Sequence, residues 1–251
     1  MFNFNKKDEQ PIISFVTNDS GLLYNKDNLP IDASELPPSW WKKVPAKPTF
    51  DDGQTALTVK MCPSFTDYFG QGFILPAWQD SKVSYDVEKD YWHAEARDPS
   101  DRSWGIHGNA QFLDYVDFEY NKLKPTMIFK LMTPWKIITK PGWSVLQVPL
   151  FYHFDNDLVA LPGIIDTDIE HDLNIQFLYF GDKKQVNIKR GQPLVQYIPF
   201  KREEMSYDVR ESTDSDKKKF QAAHHWIFDK FPGTGAYRSM QRQRDRNGPL
   251  F

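Results

Sequence analysis

From Thr55 to Phe200 this chain reads as a succession of short β-branched or aromatic apolar runs bounded by Pro, Gly or Asp. Runs of that kind read as half-buried strands. Strands are predicted at residues 55–61, 72–76, 81–87, 112–119, 126–131 (continuing through 131–139), 143–149, 158–165, 173–180, 185–188 and 194–200. Pro141-Gly142, Gly181-Asp182 and Arg190-Gly191 are turn signals between them. Pro134 is expected at an edge or bend, because it brings no N–H to a ladder. Residues 89–109, with Trp92, His93, Trp104 and His107, read as loop. Residues 62–70 fit one helical turn ended by Gly70. A helical period appears near the C-terminus, where Phe220, Ala223, Ile227 and Phe231 share a face. Ser215 or Asp216 can cap that helix, and Pro232-Gly233 stops it. No internal repeat is evident.

The fold class these patterns imply is mainly β, a closed or sandwiched antiparallel sheet with an extended N-terminal arm and one C-terminal helix. The arm covers residues 1–54, rich in Pro, Asn, Asp and Lys. Within it residues 37–45 form a stiff Pro-bounded segment carrying Trp40 and Trp41. Those rings either dock on the body or are offered to a partner. Residues 55–205 are the β-rich body, and residues 206–251 a charged loop, helix and basic tail. The pattern leaves open whether residues 55–128 stand apart.

Composition narrows the function classes. The chain has 251 residues, enough for a sizeable core, with 26% charged and 40% hydrophobic positions. Aromatics reach 15% and include eight Trp, which fits either a β-rich core or a binding face of flat rings. A net charge of −3 with no long basic block argues against general nucleic-acid binding. The Arg238, Arg242, Arg244 and Arg246 cluster reads as a solvated tail, with phosphate or partner contact as the alternative. One cysteine, Cys62, allows neither an internal disulfide nor a Cys-based zinc site. No apolar leader or membrane-length run is present, so neither signal-peptide export nor membrane spanning is expected.

The candidate chemistry lies at Asp166, Asp168 and His171. Two close carboxylates raise one pKa, and either can orient an imidazole as general-base sites require. The competing reading has both acids accepting backbone N–H bonds to pin a tight turn. His153-Phe154-Asp155 has the His-x-Asp spacing of an iron(II)/2-oxoglutarate oxygenase triad, with His171, His224 or His225 as the distal ligand. Against it stands a solvated turn. A nucleophile elbow and a P-loop are absent.

Gly163-Ile164-Ile165-Asp166-Thr167-Asp168, followed by Gly191-Gln192-Pro193-Leu194-Val195-Gln196, resembles the paired motifs of the trimeric dUTPases, whose β-clip fold dCTP deaminases share. Pro141-Gly142-Trp143 resembles that family's Pro-Gly-Tyr turn, and the likeness covers residues 129–200. It implies that Asp166 orients an attacking water, that Gln196 belongs to the binding site, and that 233–238, with Tyr237 and Arg238, resembles a Gly-rich lid. The uracil-stacking ring falls at Ile169, and the phosphate-binding Arg-Ser-Gly becomes Leu150-Phe151-Tyr152, removing a cation and a hydroxyl. The resemblance therefore implies the fold with dUTP hydrolysis lost. Residues 61–69, 135–139, 163–168 and 199–202 also resemble an uncharacterised family of marine tailed phages, T4-like cyanophages especially, with bacterial relatives.

Together these readings give a non-catalytic phage-type β protein acting as a binding or structural component, without a cofactor. It is expected to be a homo-oligomer, a trimer by analogy, or to contact virion or host proteins, in the host cytoplasm or the virion. Trp40, Trp41, Gln196, Tyr237 and Arg238 are its candidate binding residues. The alternatives are an enzyme acting on a nucleotide or other small molecule through Asp166, Asp168 and His171, and the oxygenase reading through His153 and Asp155.

Overall fold

The computed structural model describes residues 11–49, 52–55, 58–86, 88, 91–96, 104–107, 125–154, 157–181, 185–224 and 234–248. The chain divides into two compact units, Met1–Leu36 with Gln71–Glu203, and Pro37–Gly70 with Glu204–Phe251.

All the described strands belong to the first unit. They are β1 (Ile13–Thr17), β2 (Ile31–Asp32), β3 (Phe73–Pro76), β4 (Ser81–Asp86), β5 (Tyr91–Ala96), β6 (Trp104–His107), β7 (Met127–Thr139), β8 (Trp143–Val148), β9 (Leu158–Ala160), β10 (Gly163–Ile165), β11 (Asp172–Tyr179), β12 (Gln185–Ile188) and β13 (Pro193–Lys201). One sheet runs β1-β7-β11-β9, with β6 also on β7. A second runs β10-β8-β13-β3-β2, and a third β12-β4-β5. Every pairing is antiparallel, so the mainly β architecture is confirmed.

Alternation explains the core. In β11, Leu173, Ile175, Phe177 and Tyr179 are buried while Asp172, Asn174 and Gln176 face out. Phe177 lies opposite Phe129 of β7, and the rings stack at 5.4 Å. Each such ring contributes about 1.5–3 kcal/mol by leaving water. The second sheet adds Leu75, Val145, Leu194, Val195 and Tyr197 to the same cluster. The buried Tyr197 hydroxyl donates to Gln147 Oε1 at 3.1 Å, and Gln147 Nε2 donates to the Leu161 carbonyl at 2.8 Å. Burial pushes the Tyr197 phenol pKa upward, so the hydroxyl keeps its proton and its donor role.

Several elements differ from expectation. The 158–165 run is two strands, because Leu161-Pro162 turns the chain from one sheet to the other. Leu161 N–H donates to Gln176 of β11 and its carbonyl accepts from Gln147 of β8. Pro134 lies inside β7, between the stretch paired with β6 and the stretch paired with β1, opposite a register shift in β11. No ladder bond is asked of it there. Residues 89–109 contain β5 and β6, and the polar side of β5 is held by Glu95, which pairs with Lys82 at 3.4 Å and His93 at 3.1 Å. Within the strand expected at 55–61, Val59–Met61 is a 3-10 turn capped by Thr58, and residues 56–57 lie outside the described residues. The segment predicted as strand at 112–119 lies outside the described residues. Within the segment read as an arm, β1 pairs along β7 and the buried Asn28 accepts from Trp135 Nε1 at 3.1 Å.

The second unit holds α1 (Pro63–Phe69), α2 (Asp214–His224) and α3 (Thr234–Asn247). α1 is the expected turn, begun by Pro63 and closed at Gly70. α2 is capped two to three residues earlier than expected: Thr213 Oγ1 accepts from Asp216 N at 3.2 Å while Asp216 accepts from Thr213 N at 2.8 Å. Of its expected apolar face, Phe220 is exposed, and Ile227 and Phe231 lie outside the described residues. α3 replaces the expected tail, its polar sequence MQRQRDRN being helix-compatible without apolar periodicity.

Gly72 precedes β3 with φ +67°, and a Cβ there would lie 2.0 Å from the Tyr197 carbonyl oxygen. Gly142 has φ +81° with open space around it. Gly72→Ala is expected to cost about 3 kcal/mol or more, strain and displaced backbone together, whereas Gly142→Ala costs about 1 kcal/mol. Urea unfolding midpoints check this, and equal losses at the two positions contradict it.

Candidate functional site

Three strand ends meet at one edge of the second sheet. β8 is bonded to β10 on one side and β13 on the other, with Val145 opposite Ile165 and Trp143 opposite Lys201. One residue further along each ladder, Asp166 arrives beside Ser144 and Arg202 beside Gly142. Ser144 Oγ donates to Asp166 Oδ1 at 2.6 Å, and the Arg202 N–H donates to the Gly142 carbonyl at 2.8 Å.

The Arg202 guanidinium spans the gap. Its Nη1 lies 3.0 Å from Asp166 Oδ1, 2.9 Å from Asp168 Oδ1 and 2.9 Å from Ser144 Oγ, and its Nη2 is 2.5 Å from Asp168 Oδ2. Gly142 N–H adds a bond to Asp168 Oδ2 at 2.8 Å. Asp168 is thus held in a fork by one cation and one backbone donor, and its side chain is only 9% exposed, against 52% for Asp166. The Ser144 hydroxyl and then Arg202 hold the Asp166 carboxyl below the usual range. Arg202 and then the Gly142 N–H do the same for Asp168, and both acids raise the pKa of Arg202. The pair is therefore ionised together, the reverse of the raised carboxyl that two uncompensated acids produce.

The turn behind the acids is also bonded. Thr139 and Thr167 share a buried hydroxyl contact at 2.8 Å, and Ile169 and Glu170 N–H both donate to the Asp166 carbonyl at 2.9 Å. His171 Nδ1 sits 3.1 Å from the Ile137 carbonyl and 3.0 Å from the Thr167 carbonyl, so that nitrogen carries the proton. Both of these contacts are to backbone carbonyls, whereas Asp166 and Asp168 bond Arg202 and Ser144. Ile169, at the position of the stacking ring, is exposed.

Leu150-Phe151-Tyr152 brings no cation; the cation and hydroxyl beside the acids are those of Arg202 and Ser144, which bond the carboxylates. The Pro199-Phe200-Lys201-Arg202 run carried that signal as the continuation of a strand ending beside the acids.

The remaining candidates are dispersed. Gln196 is buried in β13 and donates to the Gln71 carbonyl at 2.6 Å. In the second unit Trp41 packs edge-on against Phe69 at 4.8 Å and Trp40 against Trp41 at 5.8 Å, with the Lys60 ammonium 5.9 Å from the Trp41 ring. Arg238 of α3 binds Asp67 and Thr66 of α1, and Gln241 joins Asp67 at 2.9 Å. Tyr237 is exposed. His153 lines a separate cleft, and Asp155, His225 and the side chain of His224 lie outside the described residues. Among the described residues no three His, Cys, Asp or Glu side chains converge to hold a metal ion.

No family model and no curated protein sequence matches the chain. Solved structures similar to it include the dUTPase of EIAV, 14% identical, covering 57% of this chain and 86% of that one with a TM-score of 0.32. A Staphylococcus bacteriophage 80alpha dUTPase variant is 15% identical over 37% of this chain and 77% of its own, with a TM-score of 0.28. A dUTPase variant from phage phi11 of S. aureus is 13% identical over 47% and 88%, also at 0.28.

The depressed carboxyls set a pH dependence with a definite sign. An unfolded Asp titrates near about 3.9, so the stabilisation is complete above that pH and lost as pH falls through the lower folded values. Arg202→Gln is expected to lower the thermal midpoint at neutral pH by several degrees and to flatten its fall between about pH 5 and pH 2. Thermal unfolding of both proteins across that range provides the check, and parallel acid limbs count against the clamp.

Proposed function

We propose that this chain is a non-catalytic, phage-type β protein that works as a binding or assembly component. The observation that carries this reading is the Arg202 fork. It neutralises Asp168 outright and shares a donor with Asp166, so neither carboxylate is poised as a base near neutral pH. The arrangement suits a structural lock on three strand ends.

Assembly is supported by residues 202–213, which form no helix or strand of their own and are exposed throughout. Along them Met205, Tyr207 and Val209 are 94%, 92% and 86% exposed, alternating with Ser206, Asp208 and Arg210. Three large apolar groups at period two suit docking on another protein surface, in a homo-oligomer, a trimer by the sequence resemblance, or on a virion or host protein. No described helix is long and apolar enough to cross a membrane.

Two measurements test the proposal. Incubated with dUTP or dCTP and Mg²⁺, the protein is expected to release no product; hydrolysis that disappears in Asp166→Asn overturns the non-catalytic reading. In analytical ultracentrifugation the protein is expected to sediment as an oligomer. The Met205→Asp/Tyr207→Asp variant should become monomeric with its unfolding midpoint unchanged. A monomer that binds no virion protein in the parent chain overturns the assembly reading.

A further inference from the structure

The largest open question outside the clamp is a cleft in the first unit. It encloses about 370 Å³, within the range of small-molecule sites, and its wall includes His153, Asp157, Tyr179, Gln185, Asn187 and Gln192. Leu150, Leu158, Val186 and Pro193 supply apolar surface between these polar groups.

Two strands that end their sheets build the walls. β12 is bonded only to β4, so one side of its backbone has no ladder partner among the described strands, and β9 is bonded to β11. An edge strand turns alternate N–H and C=O groups outward. Gln185, Val186 and Asn187, of both parities, line the cleft, as expected where a strand presents its edge.

Gln185, Asn187, Gln192 and Asp157 keep hydrogen-bonding capacity among the described residues. Gln185 Nε2 donates to Asn187 Oδ1 at 2.9 Å, which leaves the Gln185 carbonyl and the Asn187 amide NH₂. Gln192 Oε1 accepts from the Lys189 N–H at 3.1 Å, which leaves its NH₂. No bond among the described residues occupies the Asp157 carboxylate, whose backbone carbonyl alone accepts, from Phe180. The cleft therefore offers two amide donors, an amide acceptor and a carboxylate at once.

That inventory discriminates between ligand classes. Among the described lining residues there is no Lys or Arg, so from these a phosphate or carboxylate ligand meets Asp157 and no permanent cation. A hydroxyl both donates and accepts, which suits a carboxamide beside a carboxylate, and the Leu, Val and Pro surface suits the C–H face of a ring. We propose that this cleft is a binding site for a neutral, hydroxyl-rich small molecule, with the chemistry of a free monosaccharide. The site is separate from the Arg202 clamp and does not depend on the clamp's being non-catalytic.

The test uses the full chain with D-glucose, D-galactose, D-mannose, D-ribose and N-acetyl-D-glucosamine as probes, by saturation-transfer NMR and calorimetric titration. Inorganic phosphate and dUTP serve as anionic controls. At least one sugar is expected to bind saturably with a millimolar or lower dissociation constant and to shift the side-chain amide signals of Asn187 and Gln192. Asn187→Ala and Asp157→Ala, both at exposed positions, are each expected to weaken it about tenfold, whereas Asp166→Asn leaves it unchanged. The proposal is overturned if none of the five sugars saturates. It is also overturned if both cleft variants bind as the parent does, or if phosphate or dUTP displaces the sugar.

Discussion

β8 is the strand on which the rest of the candidate site depends. Bonded on both flanks, it forces β10 and β13 to end at the same level, because each ladder advances one residue per residue. The acids after β10 and the arginine after β13 are then brought together by registry. Ser144, buried in β8 itself, is the fixed point to which both sides bond. A slip of one residue in either ladder would turn its side chains to the other face and dissolve the cluster.

The strands that alternate cleanly were legible before any coordinates. β11, with four buried apolar residues at every second position, is the clearest case, and β12 follows it; β8 and β13 carry consecutive buried residues instead. β5 was not legible, because its polar residues are satisfied by a neighbour, β4, that local pattern cannot see. The division of 158–165 was hidden for a related reason: Leu161 serves one sheet with its N–H and the other with its C=O. α3 was missed because its sequence lacks an apolar stripe, and a solvated helix resembles a charged tail in composition. At the site, Asp166 and Asp168 were readable as a demanding pair, but their partner stands 34 positions beyond Asp168. Nothing local marks Arg202 as that partner; only strand order does.

The two polar regions of the first unit differ in how completely they are satisfied. At the clamp almost every donor and acceptor has a partner, and one guanidinium is shared between two carboxylates within a few ångströms. At the β9–β12 cleft, amides and a carboxylate keep unspent bonding capacity around a space of molecular size. Motif spacing draws the eye to the first region, yet recognition of another molecule needs the properties of the second. The paired glycine motifs belong mainly to the architecture: Gly163 opens β10, and Gly191 shapes the turn before β13.

Pro134 bears on how β7 holds its companions. Along one side of that strand β6 occupies residues 128–131 and β1 occupies residues 135–139, with the imino acid between them. A seam without a ladder bond separates two short attachments that would otherwise zip as one. Fraying that begins at the N-terminal strand therefore meets a firebreak, and the half of β7 that carries Phe129 keeps its cover when the other half is stripped.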